Sequence, residues 1–354
     1  MVGPDGALPL PWLAPLLRGT LASQHAHALL LHGPQGVGQF EFAMTLAQAW
    51  LCETAQAIAR PCGQCASCRL VQAHSHPDLL VLMPEALQQA LGWGATDADE
   101  AAAAERASKA KPSQEVKVEA VRRAVAFAQT TSARGRVKVV VIHPAERMNG
   151  ISANTLLKTL EEPAGEARFV LSCAAPDALL PTIRSRCQAV PMGLPPAVEA
   201  IAWLEAQGVD DPAVMLAAAG GQPQEALVWS QQGIDAASWS RLPALVAQGA
   251  TQPLTAWPLP RAVDALQKLC HDVACRSVGA APRYFPAASL KGVAETSALV
   301  EWMRELDRIA RRVDHPWNAA LVVESLVQQG QRALAGTAGT VSPRRGLSVH
   351  SRHE

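Results

Sequence analysis

Four cysteines near the start of the chain have the spacing of a metal site. Cys52 is followed by Cys62, Cys65 and Cys68, so three of the sulfur ligands recur at every third residue. Thiolates in such a set bind Zn²⁺ tetrahedrally, and four of them fill its coordination sphere and leave no position for water or substrate. The sequence therefore predicts a structural zinc module over residues 52–68, with unligated buried thiols or an iron–sulfur cluster as alternatives.

Other residues that could ligate a metal favour ordinary structural roles. His74, His76 and Asp78 directly precede an apolar run at 79–83, and His-Pro-Asp is a good turn into a strand. Isolated thiols are most often buried core residues. We expect this of the four remaining cysteines, Cys173, Cys187, Cys270 and Cys275.

A glycine-rich segment after the first apolar run has the spacing of a phosphate-binding loop. Gly33, Gly36 and Gly38 precede a stretch whose apolar residues recur at helical spacing. A hydrolytic loop needs Lys for the β- and γ-phosphates and then a hydroxyl for Mg²⁺, but this chain has Gln39 and Phe40. The sequence predicts no hydrolysis here, and it leaves passive nucleotide binding by the three glycines and Gln39 open.

A second part of the hydrolytic machinery is also altered. Val137–Ile142 is a run that is β-branched except for Lys138, and it predicts a buried strand. Nucleotide hydrolases place acidic Mg²⁺ ligands after such a strand, whereas here His143 comes first and Glu146 is the only carboxylate.

The elements that would position these residues alternate between strands and helices. Apolar runs predict strands at 29–32, 79–83, 137–142 and 168–173, with amphipathic helices between them. The predicted fold class is α/β, a parallel sheet flanked by helices with an inserted zinc knob, followed by two helical domains. The predicted boundaries are 1–191 for the α/β domain with a flexible insertion at about 86–114, 192–245 for a small helical domain, 246–335 for a C-terminal helical domain and 336–354 for a disordered tail.

Composition is that of a globular protein and restricts the function classes. The chain has 354 residues and a formal net charge of +0, which argues against strong nucleic-acid binding by the chain alone. Its N-terminal residues do not resemble a signal peptide, and no apolar run approaches the ~20 residues needed to cross a bilayer. We expect a cytoplasmic protein with reduced thiols and no membrane partner.

Taken in order, these motifs resemble a known family. The glycine loop, the cysteine module, the 137–148 segment, the box Leu156–Pro163 and Ser185-Arg186-Cys187 occur in the order seen in bacterial clamp-loader subunits of the AAA+ superfamily. The resemblance covers roughly residues 8–335. It implies an AAA+ domain, a helical lid and a C-terminal collar domain. The segment 314–320 is similar to a signature of that collar domain.

The resemblance implies a stator, a subunit that assists hydrolysis without performing it. Arg186 would be an arginine finger acting in trans on the γ-phosphate held by a neighbouring motor subunit. Gln224 stands where relatives carry an ATP-sensing arginine. The implied partners are gamma or tau motor subunits and a delta subunit in a hetero-pentamer, which opens a sliding clamp and places it on primed DNA.

Two other functions stay open at this point. One is an active AAA+ ATPase in which other residues replace the lysine and the Mg²⁺ ligands. The other is a zinc-knob module that binds DNA directly, which would show as tight, salt-sensitive binding.

Overall fold

The computed structural model of the chain describes residues 1–23, 26–93, 112–291, 296–312 and 315–335. Most of the predicted insertion, residues 94–111, and the whole predicted tail, 336–354, lie outside the described residues. The chain forms two compact units, one of Met1–Gly208 with Gly221–Val228 and the other of Val209–Gly220 with Trp229–Glu354. The finer domain boundaries stay a prediction.

The first unit is built around a parallel sheet. Its strands are β1 (Ala28–His32), β2 (Leu79–Leu82), β3 (Lys138–Ile142), β4 (Ala167–Cys173) and β5 (Gln188–Pro191). They lie in the order β2-β3-β4-β1-β5, and every neighbouring pair is parallel. Parallel neighbours need crossover connections, which here are mostly helical. The predicted α/β class is confirmed.

Helices account for most of the remaining described residues. In chain order they are α1 (Leu13–Ser23), α2 (Gln39–Leu51), α3 (Ala66–Gln72), α4 (Glu85–Ala90), α5 (Val118–Ala128), α6 (Gly150–Glu161), α7 (Pro181–Arg184), α8 (Ala197–Ala206), α9 (Pro212–Ala218), α10 (Pro223–Gln231), α11 (Ala236–Ala247), α12 (Leu259–Ser277), α13 (Thr296–Ala310) and α14 (Ala319–Leu334). Within the described ranges, no helix is long and apolar enough to span a bilayer.

The sheet is buried on both faces because alternate strand residues point to opposite sides. Leu29 and Leu31 pack with residues of α1 and α2 on one face. Leu30 packs with residues of α5 and α6 on the other. Because all five strands are parallel, their carboxyl ends lie at one edge of the sheet, where α/β proteins bind ligands.

The second unit is helical in its described part and has its own aromatic core. Trp239 and Trp302 are both fully buried. Asp272 is also buried, and its carboxylate accepts the backbone N–H groups of Arg283, Tyr284 and Phe285 at 2.7–2.9 Å. These bonds satisfy a carboxylate that would otherwise be costly to bury, so Asp272 has a structural role.

Candidate functional site

The glycine loop lies at the carboxyl end of β1, between that strand and the start of α2. Gly36 and Gly38 have backbone φ angles of 76° and 100°, a region that residues with a side chain rarely adopt. A Cβ atom on Gly33 would collide with the carbonyl oxygen of Met192, and one on Gly38 would collide with Leu10. The loop's own packing therefore requires these glycines, independently of any phosphate.

The side chain of Gln39 is buried in this loop and bonds to the loop's own backbone. Its Nε2 donates to the carbonyl oxygens of Gly33 at 2.9 Å and Pro34 at 2.5 Å. The resemblance puts the phosphate-binding lysine at this position. A neutral amide turned onto two carbonyl groups has no charge to offer a phosphate, so Gln39 closes the loop on itself.

Phe40 and His143, which stand at the two positions that would hold Mg²⁺, pack against each other. Their ring centroids are 4.9 Å apart, and the Trp93 ring lies 5.9 Å from that of Phe40. The Nδ1 atom of His143 is 2.8 Å from the Ser172 hydroxyl oxygen. Burial lowers the pKa of His143 to about 4, so the imidazole is neutral at pH 7. The two positions form an uncharged aromatic contact in place of a cation site.

The buried imidazole of His143 makes stability depend on pH. Because its pKa is lowered from 6.5 to about 4 in the folded chain, the unfolded chain takes up a proton first as the pH falls. The contribution of the neutral imidazole to the free energy of unfolding is therefore complete above pH 6.5 and is lost as the pH falls towards about 4. We expect the stability advantage of wild type over His143→Gln to shrink across this window. Urea unfolding at a series of pH values measures that difference, and a constant difference would contradict the prediction.

Other side chains of the first unit cover the outside of the loop. The Nε2 of Gln224 donates to Glu41 at 2.7 Å, and its backbone N–H donates to the carbonyl of Gly36 at 3.3 Å. The indole N–H of Trp12 donates to the carbonyl of Val37 at 2.9 Å. Gln224, at the position that the resemblance assigns to ATP sensing, thus bonds within its own chain.

The four predicted cysteines meet in one cluster. Their sulfur atoms all lie within 4.8 Å of one another, and the Cys52–Cys65 and Cys62–Cys68 sulfur pairs are both 3.9 Å apart. Four sulfurs that are each ~2.3 Å from a tetrahedral Zn²⁺ are about 3.8 Å from one another. The donor set and its spacing therefore fit one tetrahedral zinc ion.

Hydrogen bonds favour the thiolate form of one cysteine in this cluster, Cys62. The Thr54 side chain and backbone N–H groups lower the pKa of Cys62 to about 6, whereas burial raises the pKa of Cys68. The backbone N–H of Cys65 donates to the sulfur of Cys62 at 3.3 Å. A bound cation would keep the buried Cys68 sulfur deprotonated as well.

An ion pair connects the cysteine module to the turn before β3. Arg134 Nη2 lies 2.5 Å from Glu53, and its Nε donates to the Ser67 hydroxyl at 3.0 Å. The backbone N–H of Arg134 donates to buried Asp78 at 3.0 Å, and Lys138 pairs with the same carboxylate at 3.2 Å. Asp78 thus anchors a turn, in agreement with the structural interpretation of the 74–78 segment.

Arg186 follows the short helix α7 and lies at the surface of the first unit. Its Nε and Nη2 donate to one carboxylate oxygen of Glu161 at 3.2 and 2.9 Å, and its Nη1 donates to the carbonyl of Thr182 at 3.1 Å. The side chain is 29% exposed. Arg184 pairs separately with Asp177. Arg186 is thus accessible to another protein while its orientation is held by its own chain.

The unit that carries all of these residues matches a known protein family. The family described as DNA polymerase III, delta subunit, matches residues 13–195, just over half of the chain. The chain belongs to this family. The predicted resemblance to bacterial clamp-loader subunits is confirmed by that match, and the sheet is that of an AAA+ domain.

Two relatives of this delta-family chain are each named DNA polymerase III subunit delta'. The protein from Pseudomonas aeruginosa is 38% identical over 216 residues, which is 60% of this chain and 58% of the relative. The protein from Escherichia coli is 33% identical over 228 residues, which is 62% of this chain and 60% of the relative. A solved gamma subunit-related protein from Thermotoga maritima covers 90% of this chain and 99% of itself, with a TM-score of 0.45 and 15% identity. The chain therefore spans about three fifths of the curated relatives that it matches.

Sequence reasoning missed two features of this delta-family chain. The contact between Phe40 and His143 joins residues far apart in sequence, and only their shared departure from the hydrolase pattern could have indicated it. Glu161 was recognised as part of a helical box, but no local signal indicates that it pairs with Arg186, 25 residues later.

Proposed function

We propose that the chain is the delta' stator of a bacterial clamp loader. It hydrolyses no ATP itself and lends Arg186 to the γ-phosphate held by a neighbouring motor subunit. The guanidinium stabilises the charge that develops during phosphoryl transfer, which is the work of an arginine finger. The name delta', which both relatives carry, supports this proposal.

The contrast between the glycine loop and Arg186 carries the proposal. Around the loop, Gln39, Phe40 and His143 present no charge. The Gln39 amide and the His143 ring bond to groups of the same chain, and Phe40 packs on His143. Arg186 keeps its charge and is partly exposed. A chain that has lost the charges for its own phosphate site but retains an accessible guanidinium is suited to act on a neighbour's site.

The proposed assembly is a hetero-pentamer with gamma or tau motor subunits and a delta subunit. In this assembly the 1–191 domain of the chain would border a motor subunit. Residues 192–245 would form the lid, and residues 246–335 would join the collar. Through the complex the chain would act on the sliding clamp and on primer-template DNA. The formal net charge of +0 fits a subunit that does not hold DNA tightly by itself.

We also propose that Cys52, Cys62, Cys65 and Cys68 hold a structural Zn²⁺ ion. The sulfur separations support this, since they match a tetrahedral site. Because all four positions are filled by thiolates, the metal holds the knob together and does not take part in chemistry.

Reconstitution tests the proposed function. We expect the purified chain to hydrolyse no ATP, and we expect its addition to gamma or tau, delta, clamp and primed DNA to raise both ATP hydrolysis and clamp loading. Turnover by the chain alone at the rate of motor subunits would instead support an active ATPase. Tight DNA binding by the chain alone, weakened steeply by salt, would support a zinc-knob DNA-binding module.

A further inference from the structure

The hydrogen bonds of Arg186 leave two of the N–H groups of its guanidinium without an acceptor among the described residues. A guanidinium has five N–H groups in a fixed planar fork. Glu161 accepts from Nε and from one hydrogen of Nη2, and the carbonyl of Thr182 accepts from one hydrogen of Nη1. Within the described residues this leaves two N–H groups, one on each terminal nitrogen. Two donors at the end of a fork can bind the oxygens of a phosphate together.

Glu161 is carried by a rigid element. It is the last residue of α6, which begins with the Asn149 side chain accepting the backbone N–H of Ser152 at 3.0 Å. Leu156 and Leu160 of this helix are fully buried. Because the helix is held by its packing, the backbone of Glu161 has a defined position, from which its carboxylate reaches Arg186 at 2.9 Å.

The position of Glu161 is not explained by stability. A carboxylate at the carboxyl end of a helix opposes the helix dipole. Its side chain is 60% exposed, and ion pairs with that exposure add only about 0–1 kcal/mol. The benefit of the pair is therefore more readily understood as the orientation of Arg186.

We propose that Glu161 is a positioning residue for Arg186, and this inference rests on the proposed trans role of Arg186. Glu161 and the Thr182 carbonyl hold two sides of the guanidinium and present its two remaining N–H groups to an anionic oxygen, the γ-phosphate of the neighbouring subunit. Orientation before the reaction removes rotamer freedom that would otherwise have to be lost in the transition state.

The test compares Glu161→Gln with Glu162→Gln in the reconstituted complex. Glu162 is the matched control, because it is adjacent and exposed and its side chain has no partner among the described residues. Single-turnover ATP hydrolysis is measured over a range of ATP concentrations. We expect Glu161→Gln to slow hydrolysis at the site facing this chain by about tenfold. We expect the ATP concentration for half-maximal rate to stay within about twofold, and Glu162→Gln to behave as wild type.

The double variant Glu161→Gln/Arg186→Ala gives the second readout. If Glu161 acts through Arg186, the double variant is no slower than Arg186→Ala, to within about twofold. Independent, multiplicative losses would overturn the inference, as would a faster rate in Glu161→Gln, which would mean that the carboxylate competes with the phosphate. If Arg186→Ala is slow and Glu161→Gln equals Glu162→Gln, only the positioning role fails. If Arg186→Ala itself has no effect, the trans role fails, and the positioning role with it.

Discussion

Arg186→Ala is expected to slow ATP hydrolysis at the neighbouring motor subunit's site by about 10³-fold without preventing assembly. The loss is large because an arginine finger stabilises charge that exists only in the transition state. Folding should be nearly unaffected, because the ion pair with Glu161 lies at the surface and contributes about 0–1 kcal/mol. Single-turnover hydrolysis by the reconstituted complex, with clamp and primed DNA present, measures the effect as the loss of one fast phase.

Arg184→Ala is the matched control for this prediction. Arg184 lies two residues away and also forms a surface ion pair, with Asp177 at 2.9 Å. Its replacement by alanine therefore removes one positive charge and one surface ion pair, as Arg186→Ala does. We expect wild-type hydrolysis from that variant. Arg186→Lys should recover little, since an ammonium has no planar fork with which to donate to Glu161 and a phosphate together. Equal rates for wild type and Arg186→Ala would refute the trans role.

The framework of the first unit could be predicted from the sequence because its signals are local. Runs rich in β-branched residues indicated strands such as Val137–Ile142, and the structure has β3 at Lys138–Ile142. Cysteines recurring at every third residue indicated a shared metal site, since so short a segment can bring its sulfurs together in few ways. Regular patterns over a few residues are enough for both inferences.

The chemistry around the glycine loop could be predicted only in part. The sequence showed that Gln39 and Phe40 cannot replace Lys and a hydroxyl residue. It did not show that Gln39 would turn back onto Gly33 or that Phe40 would pack on His143. The Gln39 bond depends on how the loop folds, and the Phe40–His143 contact depends on the strand order, which places the ends of β1, β3 and β4 at one edge. The positions that lack the charges of a hydrolytic site are thus filled by contacts within the chain itself.

Cys65→Ser is expected to lower the zinc content from one ion per chain to below about 0.1 and to destabilise residues 52–68. A serine hydroxyl does not replace a thiolate as a zinc ligand at neutral pH, and Cys65 also accepts the backbone N–H groups of Glu53 and Cys68. The sheet should survive, because its core is built from other residues. Metal analysis measures the zinc, and amide hydrogen exchange locates the loss of protection.

The extent of that loss follows from how the knob is attached. The Glu53–Arg134 pair and the bond from Arg134 to Ser67 connect the knob to the turn before β3, so exchange should also rise in residues 132–135. Cys275→Ser is the control, because Cys275 lies outside the cluster. This variant should keep both its zinc and its protection from amide exchange. Wild-type protein without zinc would refute the metal assignment. Normal protection of 132–135 in zinc-free Cys65→Ser would instead show that the turn is held by Asp78 and Lys138 alone.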